Sequence, residues 1–201
     1  FALLLTGATI QAQTRAASAR SYLERADAFF AQGDYARALR DYDLALAFDQ
    51  STAAIWNKRA LTRERHNDGP GAIADFTRAI ALAPRTAVYL TNRGRAWLQQ
   101  GELEQALNDL NRALALDAAC AEAYAHRGLV SAALNETAAA IADFDRALQR
   151  NPKLIHTRFN RGLACLRAGR HAEAERDFAE FRKQGGRFTL AQQAFFDQLR
   201  K

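Results

Sequence analysis

The chain repeats itself every 34 residues, without a single insertion or deletion between copies. One repeat position always holds alanine, at Ala38, Ala72, Ala106, Ala140 and Ala174. A small residue stands twelve positions earlier, at Ala26, Ala60, Gly94, Gly128 and Gly162. An aromatic residue or leucine stands four positions after the alanine, at Tyr42, Phe76, Leu110, Phe144 and Phe178. Because independent positions agree at one spacing, the sequence predicts five copies of one structural unit.

Each copy has the pattern of two short helices around a turn. In the third copy the helices are predicted at 89–98 and 104–116, on either side of Gly101. Neither helix can bury its apolar stripe alone, so successive copies must pack against each other. With small residues at the helix crossing and Pro84 or Pro152 after the second helix, the pattern resembles the tetratricopeptide repeat family. The resemblance implies an all-α, right-handed superhelical solenoid of α-α hairpins.

The period sets the expected domain organisation. Five repeats are predicted at 19–52, 53–86, 87–120, 121–154 and 155–188. Residues 189–201 are predicted to form a capping helix, because a solenoid needs a terminal element with a polar outer face. In the first repeat, the first helix is expected at about 21–31.

Residues 1–18 form an apolar leader. Its small and apolar residues, followed by Gln11-Ala12-Gln13, are typical of the end of a bacterial signal peptide. A leader helix that packs against the first repeat is the alternative. The apolar stretch is too short to span a membrane. We therefore expect a periplasmic or secreted protein if the leader is an export signal, and a cytoplasmic one otherwise.

Charged residues also follow the repeat. The formal net charge is +6 and the isoelectric point is about 9.7. Five of the arginines share one position of the 34-residue repeat, and each is followed by an aspartate sixteen residues later. An arginine fork can cross a helix–helix contact and satisfy both oxygens of a carboxylate. We predict five structural ion pairs: Arg25 with Asp41, Arg59 with Asp75, Arg93 with Asp109, Arg127 with Asp143, and Arg161 with Asp177.

Motifs of catalysis are missing from the sequence. It contains no glycine-rich phosphate loop, no His-Glu-x-x-His and no Cys-x-x-Cys. The four histidines stand in different repeats or at turns, without the nearby carboxylate or cysteine of a zinc site. The expectation is a protein that is not an enzyme and that has no cofactor, no metal and no small-molecule substrate.

The family resemblance implies a binding surface on the concave side, lined by the first helix of each repeat. We call the following residues the predicted groove: Asn57, Leu61, Arg65, Thr91, Arg95, Leu98, Ala125, Leu129, His156, Phe159, Leu163 and Leu166. Its N-terminal half is polar and charged, whereas its C-terminal half is an apolar stripe. An amphipathic helix or an extended apolar peptide would suit that stripe.

These features favour a scaffold or adaptor that binds a partner peptide or helix, in bacterial envelope assembly if the chain is exported. The C-terminal helix or a self-associated second copy could instead cover the apolar stripe. The alternative function is a basic nucleic-acid-binding repeat protein. Its candidate residues are arginines outside the five predicted ion pairs, namely Arg146, Arg150, Arg158, Arg167 and Arg170. Few aromatic residues are placed for base stacking, so nucleic acid is not the expected partner.

Overall fold

A computed structural model describes the backbone of residues 2–189 and the side chains of residues 13–189. Within this range the secondary structure consists of ten α-helices and no strands. The helices are α1 (Ala2–Ala31), α2 (Tyr35–Phe48), α3 (Ala53–Arg65), α4 (Gly69–Leu82), α5 (Ala87–Gln99), α6 (Leu103–Leu116), α7 (Ala121–Ala133), α8 (Thr137–Arg150), α9 (Ile155–Arg167) and α10 (His171–Lys183). The chain divides into unit 1, Phe1–Asp117, and unit 2, Ala118–Lys201.

Consecutive helices pack as five antiparallel hairpins, α1 with α2 through α9 with α10. Every hairpin turn contains one residue in the left-handed backbone region at the same repeat position. These residues are Gly33, Asn67, Gly101, Asn135 and Gly169. Glycine and asparagine are the residues that adopt this conformation at least cost, and they end the first helix of each hairpin. Asp34 and Asp68 then accept a backbone hydrogen bond at the start of the second helix.

Helix α1 begins much earlier than the sequence pattern predicted. It runs without interruption from Ala2 to Ala31, rather than starting near Ser21. No proline lies in this stretch, and alanine is the strongest helix former, so nothing ends the helix upstream of the first repeat. The interpretation of residues 1–18 as a signal peptide stays a prediction. The predicted capping helix at 189–201 lies outside the described residues, apart from Thr189.

The small residues of the repeat allow the two helices of a hairpin to approach closely. A Cβ atom built on Gly128 would lie 2.6 Å from Phe144 Cε1, and one on Gly162 would lie 2.6 Å from Phe178 Cε1. The aromatic ring of the second helix therefore occupies the space that a side chain on the first would need. In the first two hairpins Ala26 and Ala60 take this position and are fully buried.

The last hairpin departs from the others at one core position. The second helices of the first four hairpins carry fully buried alanines there, namely Ala45, Ala79, Ala113 and Ala147. Helix α10 carries Phe181 instead, which is 4% exposed. Its ring lies 5.3 Å from that of Phe159 and 5.4 Å from that of Phe188, measured between centroids. The larger side chain adds Phe181 to a cluster of aromatic rings that also contains Phe159, Phe178 and Phe188.

Candidate functional site

The arginine and aspartate of each predicted pair lie in hydrogen-bonding contact. Every arginine donates from Nε and Nη2 to the two carboxylate oxygens, at 2.5 to 2.8 Å. The five aspartates are at most 5% exposed. Since a buried carboxylate needs such a partner, these pairs hold the two helices of a hairpin together. They are part of the structure rather than sites open to a ligand.

The arginines also reach the preceding hairpin, which the sequence analysis did not foresee. Arg59 Nη1 donates to Asp43 Oδ1 at 2.6 Å, and Arg161 Nη1 donates to Asp145 Oδ1 at 2.7 Å. Arg93 Nη1 donates to the hydroxyl of Thr77 at 2.9 Å. The signal was present in the sequence, because Asp43, Thr77 and Asp145 share one position of the 34-residue period.

Two further ion pairs join the first helices of neighbouring hairpins in unit 1. Lys58 Nζ on α3 donates to Asp27 Oδ2 on α1, and Arg95 Nη2 on α5 donates to Glu64 Oε2 on α3, both at 2.5 Å. Each pair spans 31 residues of sequence. These four charged side chains of unit 1 are therefore neutralised in two pairs. Arg65, which is exposed, makes no ion pair with a described residue.

A recess of about 210 Å³ opens beside the first of these pairs. It is lined by Asp27, Phe30, Tyr42, Lys58 and Leu61. The Tyr42 hydroxyl donates to Asp27 Oδ1 at 2.7 Å. Burial is the larger cause and this hydrogen bond the smaller cause of a raised pKa for the Tyr42 hydroxyl. Tyr42 thus remains protonated and keeps Asp27 in place. The recess combines an apolar floor with one carboxylate and one ammonium group. Its volume is sufficient for one apolar side chain, since a cavity of about 150 Å³ can hold a benzene ring.

Amide groups continue this surface between α3 and α5. Asn92 Nδ2 donates to Asn57 Oδ1 at 3.0 Å, and both side chains are half-buried. The bond leaves the amide nitrogen of Asn57 and the amide oxygen of Asn92 for other hydrogen bonds. Each residue of an extended peptide has one backbone N–H donor and one C=O acceptor, which could bond these two amide groups. Leu98 is half-buried in the same unit.

Glu64, the partner of Arg95, is a buried carboxylate with an unsatisfied oxygen atom. Its side chain is 8% exposed, and its Oε1 atom has no hydrogen-bond partner among the described residues. Burial is the largest influence on Glu64 and raises the pKa of its carboxyl group, against the opposing effect of Arg95. The Glu64–Arg95 pair is consequently an under-satisfied buried pair, which makes it a sensitive part of unit 1.

Two residues of the predicted groove are not on its surface. Thr91 is 5% exposed and Ala125 is 8% exposed. The Thr91 hydroxyl donates to the carbonyl oxygen of Ala87 one turn earlier, at 3.0 Å. Burial argues against both residues as groove contacts, because a buried side chain has little surface to offer a partner. The repeat register alone does not distinguish a groove position from a neighbouring core position.

The apolar half of the predicted groove lies in unit 2 and is partly covered by the chain itself. Leu129, Leu163 and Leu166 are half-buried against the core around Phe144 and Phe178. Phe159 is 5.9 Å from Phe188, a residue that follows the last described helix. His156 is exposed, and its ring lies 6.1 Å from that of Phe181. This arrangement favours the interpretation that the chain covers part of its own apolar stripe.

Among residues 13–189, no group of three or more His, Cys, Asp or Glu side chains is arranged to hold a metal ion. No helix in the described part of the chain is both long enough and apolar enough to cross a membrane.

Family models match most of the repeat region. One described as TPR repeat matches residues 26–67 and 94–135, and two described as tetratricopeptide repeat match residues 57–113 and 121–154. The matched ranges join into 26–154, which is more than half of the chain. The chain belongs to the tetratricopeptide repeat family. It is therefore an all-α tetratricopeptide repeat solenoid and, in general terms, a protein–protein interaction scaffold. Proteins of this family are generally non-catalytic.

Solved structures of other tetratricopeptide repeat proteins resemble the chain. The MamA protein is 25% identical with a TM-score of 0.70, over 83% of this chain and 91% of that one. A tetratricopeptide repeat protein from Parabacteroides merdae is 26% identical with a TM-score of 0.69, over 82% of this chain and 65% of that one. The pilF protein of Pseudomonas aeruginosa is 21% identical with a TM-score of 0.78, over 87% and 80%. The comparison with curated protein sequences gives no match.

Proposed function

We propose that this tetratricopeptide repeat protein is a non-catalytic adaptor that binds a peptide segment of a partner protein along α1, α3 and α5 of unit 1. The observation that carries the proposal is the recess beside Asp27 and Lys58, with its apolar floor of Phe30, Tyr42 and Leu61. One apolar side chain of the partner would fill the recess. The amides of Asn57 and Asn92 would bond its backbone.

The charges of this surface favour a partner segment of low net charge. Lys58 and Arg95 already have carboxylate partners, so an acidic peptide would have to compete with Asp27 and Glu64 for them. A neutral extended segment with an apolar anchor meets no such competition. Ligand sites typically combine an apolar lining with a few placed polar groups, as this recess does.

Unit 2 supports the proposal less strongly, because Phe188 lies against Phe159 in the apolar half of the predicted groove. A helix or peptide bound there would have to displace this contact. For an exported chain, we further propose a role in bacterial envelope assembly. The composition of the leader supports that proposal.

The test is a selection of short random peptides on the intact protein, followed by affinity measurements with variants. Asn57→Ala combined with Arg65→Ala changes the groove surface of unit 1. Arg40→Ala combined with Arg85→Ala is the control, since both arginines are exposed and lie outside the predicted groove. We expect selected peptides to bind the groove variant at least about tenfold more weakly, a change of about 1.4 kcal/mol, and the control normally. Equal binding to the two variants would contradict the proposal.

A further inference from the structure

The positive charge of the chain is concentrated in unit 2. Unit 1 contains 14 Lys and Arg against 13 Asp and Glu, whereas unit 2 contains 14 against 9. Unit 2 therefore carries +5 of the net charge of +6. A charge asymmetry of this size between two halves of a chain indicates an anionic partner for the basic half. The proposed groove in unit 1 does not explain it.

Part of this charge surrounds Tyr124 on α7. The guanidinium carbons of Arg127, Arg146 and Arg150 lie 5.5, 5.8 and 4.5 Å from the centre of the Tyr124 ring. Arg127 and Arg146 both pair with the carboxylate of Asp143. Arg150 bonds only carbonyl oxygens, those of Ala118 and Arg146, among the described residues. Arg150 therefore has no carboxylate partner among the described residues, and Arg146 has only the one that Arg127 also bonds.

A cleft of about 610 Å³ lies between α9 and α10, one repeat further along unit 2. Arg158, Arg161, Arg176 and Lys183 line it together with Glu173, Asp177 and Glu180. The three carboxylates have partners in Arg170, Arg161 and Lys183, respectively. Within the described range no carboxylate pairs with Arg158 or Arg176, and the buried Nε atom of Arg158 has no acceptor. Two more guanidinium groups are therefore available in this cleft.

The Tyr124 group and the cleft lie on the same side of unit 2. Arg158 occupies the repeat position of Tyr124, 34 residues later. Arg161, which lines the cleft, also bonds Asp145, the neighbour of Arg146 on α8. Arg150, Arg158 and Arg176 pair with no carboxylate among the described residues, and Arg146 pairs only with Asp143, which Arg127 also bonds. We call Arg146, Arg150, Arg158 and Arg176 the basic face of unit 2.

The surroundings of Tyr124 favour a carboxylate ligand over a nucleic acid. Single-stranded nucleic acids bind by stacking their bases on aromatic rings as well as by phosphate contacts. On the basic face three guanidinium groups already surround the Tyr124 ring, and an arginine replaces the aromatic residue in the next repeat. A guanidinium group can donate two parallel hydrogen bonds to one carboxylate. Arg161 bonds both oxygens of Asp177 in this way.

We propose that the basic face of unit 2 is a second interaction surface, which binds an extended segment rich in aspartate and glutamate from a partner protein. The groove of unit 1 and the basic face would then hold two chemically different segments, one neutral with an apolar anchor and one acidic. Two linked contacts raise the overall affinity without a change in either contact.

The experiment measures binding of fluorescently labelled poly-L-glutamate and oligothymidylate to the intact chain by anisotropy, at about 50 and about 200 mM salt. Arg150→Gln combined with Arg176→Gln removes two charges from the basic face. Arg40→Gln combined with Arg85→Gln removes two charges from unit 1 and serves as the matched control. We expect poly-L-glutamate to bind the first variant on the order of fivefold more weakly, as removal of two screened charges predicts, and the control within twofold of the parent.

Three results would overturn the proposal. The first is no binding of poly-L-glutamate by the parent at the lower salt concentration. The second is equal weakening by both variants, which would mean a general charge effect. The third is tighter binding of oligothymidylate than of poly-L-glutamate, which would make the basic face a nucleic-acid surface. Arg176→Gln alone, at an exposed site, provides a second variant if the double variant unfolds in circular dichroism.

Discussion

Arg59 holds two aspartates in different environments, Asp75 in its own hairpin and Asp43 in the preceding one. The distances are 2.7 Å from Nη2 to Asp75 Oδ1 and 2.6 Å from Nη1 to Asp43 Oδ1. The Asp75 side chain is 3% exposed, whereas that of Asp43 is 58% exposed. The bonds are similar in length, but the buried Asp75 accepts two bonds from Arg59 and the exposed Asp43 accepts one. The interaction with Asp75 joins α3 to α4, and the one with Asp43 joins neighbouring repeats.

This difference predicts unequal costs of removing the two aspartates. Asp75 also lies 3.2 Å from Arg63, measured from Oδ2 to Nη1. Asp75→Ala should lower the free energy of unfolding by about 3 kcal/mol, because it leaves Arg59 and Arg63 without their buried partner. Asp43→Ala should cost less than about 1 kcal/mol, as for an exposed pair. Urea unfolding followed by circular dichroism measures both. Equal losses would mean that burial does not set the strength of these pairs.

A second prediction concerns Arg93 and Asp109 in the third hairpin. Asp109 is 1% exposed, so Arg93→Leu leaves a buried carboxylate whose nearest remaining cation is Arg112, 3.5 Å away. We expect a loss of about 3 kcal/mol in the free energy of unfolding. Adding Asp109→Leu removes the stranded charge and should restore part of that stability. A double variant that is less stable than Arg93→Leu in urea would contradict the paired role.

The repeat period explains how much of the fold could be predicted. The turns, the hairpins and the arginine–aspartate pairs all depend on contacts within one 34-residue copy. Because each of these contacts recurs in all five copies, the sequence pattern predicts them strongly. The bonds from Arg59 to Asp43 and from Lys58 to Asp27 cross between copies. Only some repeats carry both partners of such a bond, so a single sequence gives a weaker signal for them.

The candidate site was harder to predict for a related reason. Repeat position places Thr91 and Asn57 alike in the predicted groove, yet Thr91 is buried and Asn57 is half-buried. The local packing of each hairpin decides which side chain reaches the surface. Phe188 is the last residue of the fifth copy, and its equivalents Thr52, Thr86, Cys120 and Leu154 are not aromatic, so the period gives no signal for its contact with Phe159. Similarly, α1 extends upstream because of helix propensity, which the period does not report.

Opposite pKa shifts predict opposite pH effects for Glu64 and Asp41. Burial raises the pKa of Glu64, so the native state keeps this proton to a higher pH than the unfolded chain, and stability falls as pH rises from about 4.5 through the raised pKa. Hydrogen bonds from Arg25 lower the pKa of Asp41, so its contribution is present above about 3.8 and is lost as pH falls through the lowered pKa.

The measurement compares the unfolding free energies of Glu64→Gln and Asp41→Asn with the parent across this pH range. Relative to the parent, Glu64→Gln should gain stability as pH rises above 4.5. Asp41→Asn should instead lose stability relative to the parent as pH rises toward and beyond 3.8. If both differences change in the same direction, one of the two assignments is wrong.

Phe188 provides the test of whether the chain covers its own apolar stripe. Its ring lies 5.9 Å from Phe159, 6.0 Å from Phe178 and 5.4 Å from Phe181, and such aromatic contacts contribute about 0.5–1.5 kcal/mol each beyond buried area. Phe188→Ala should therefore lower the stability of the protein by about 2 kcal/mol and increase the fluorescence of an apolar dye that binds exposed hydrophobic surface. Phe188→Leu, which keeps most of the apolar area, should change both much less. Unchanged stability and dye binding in Phe188→Ala would mean that the apolar stripe is closed by other residues.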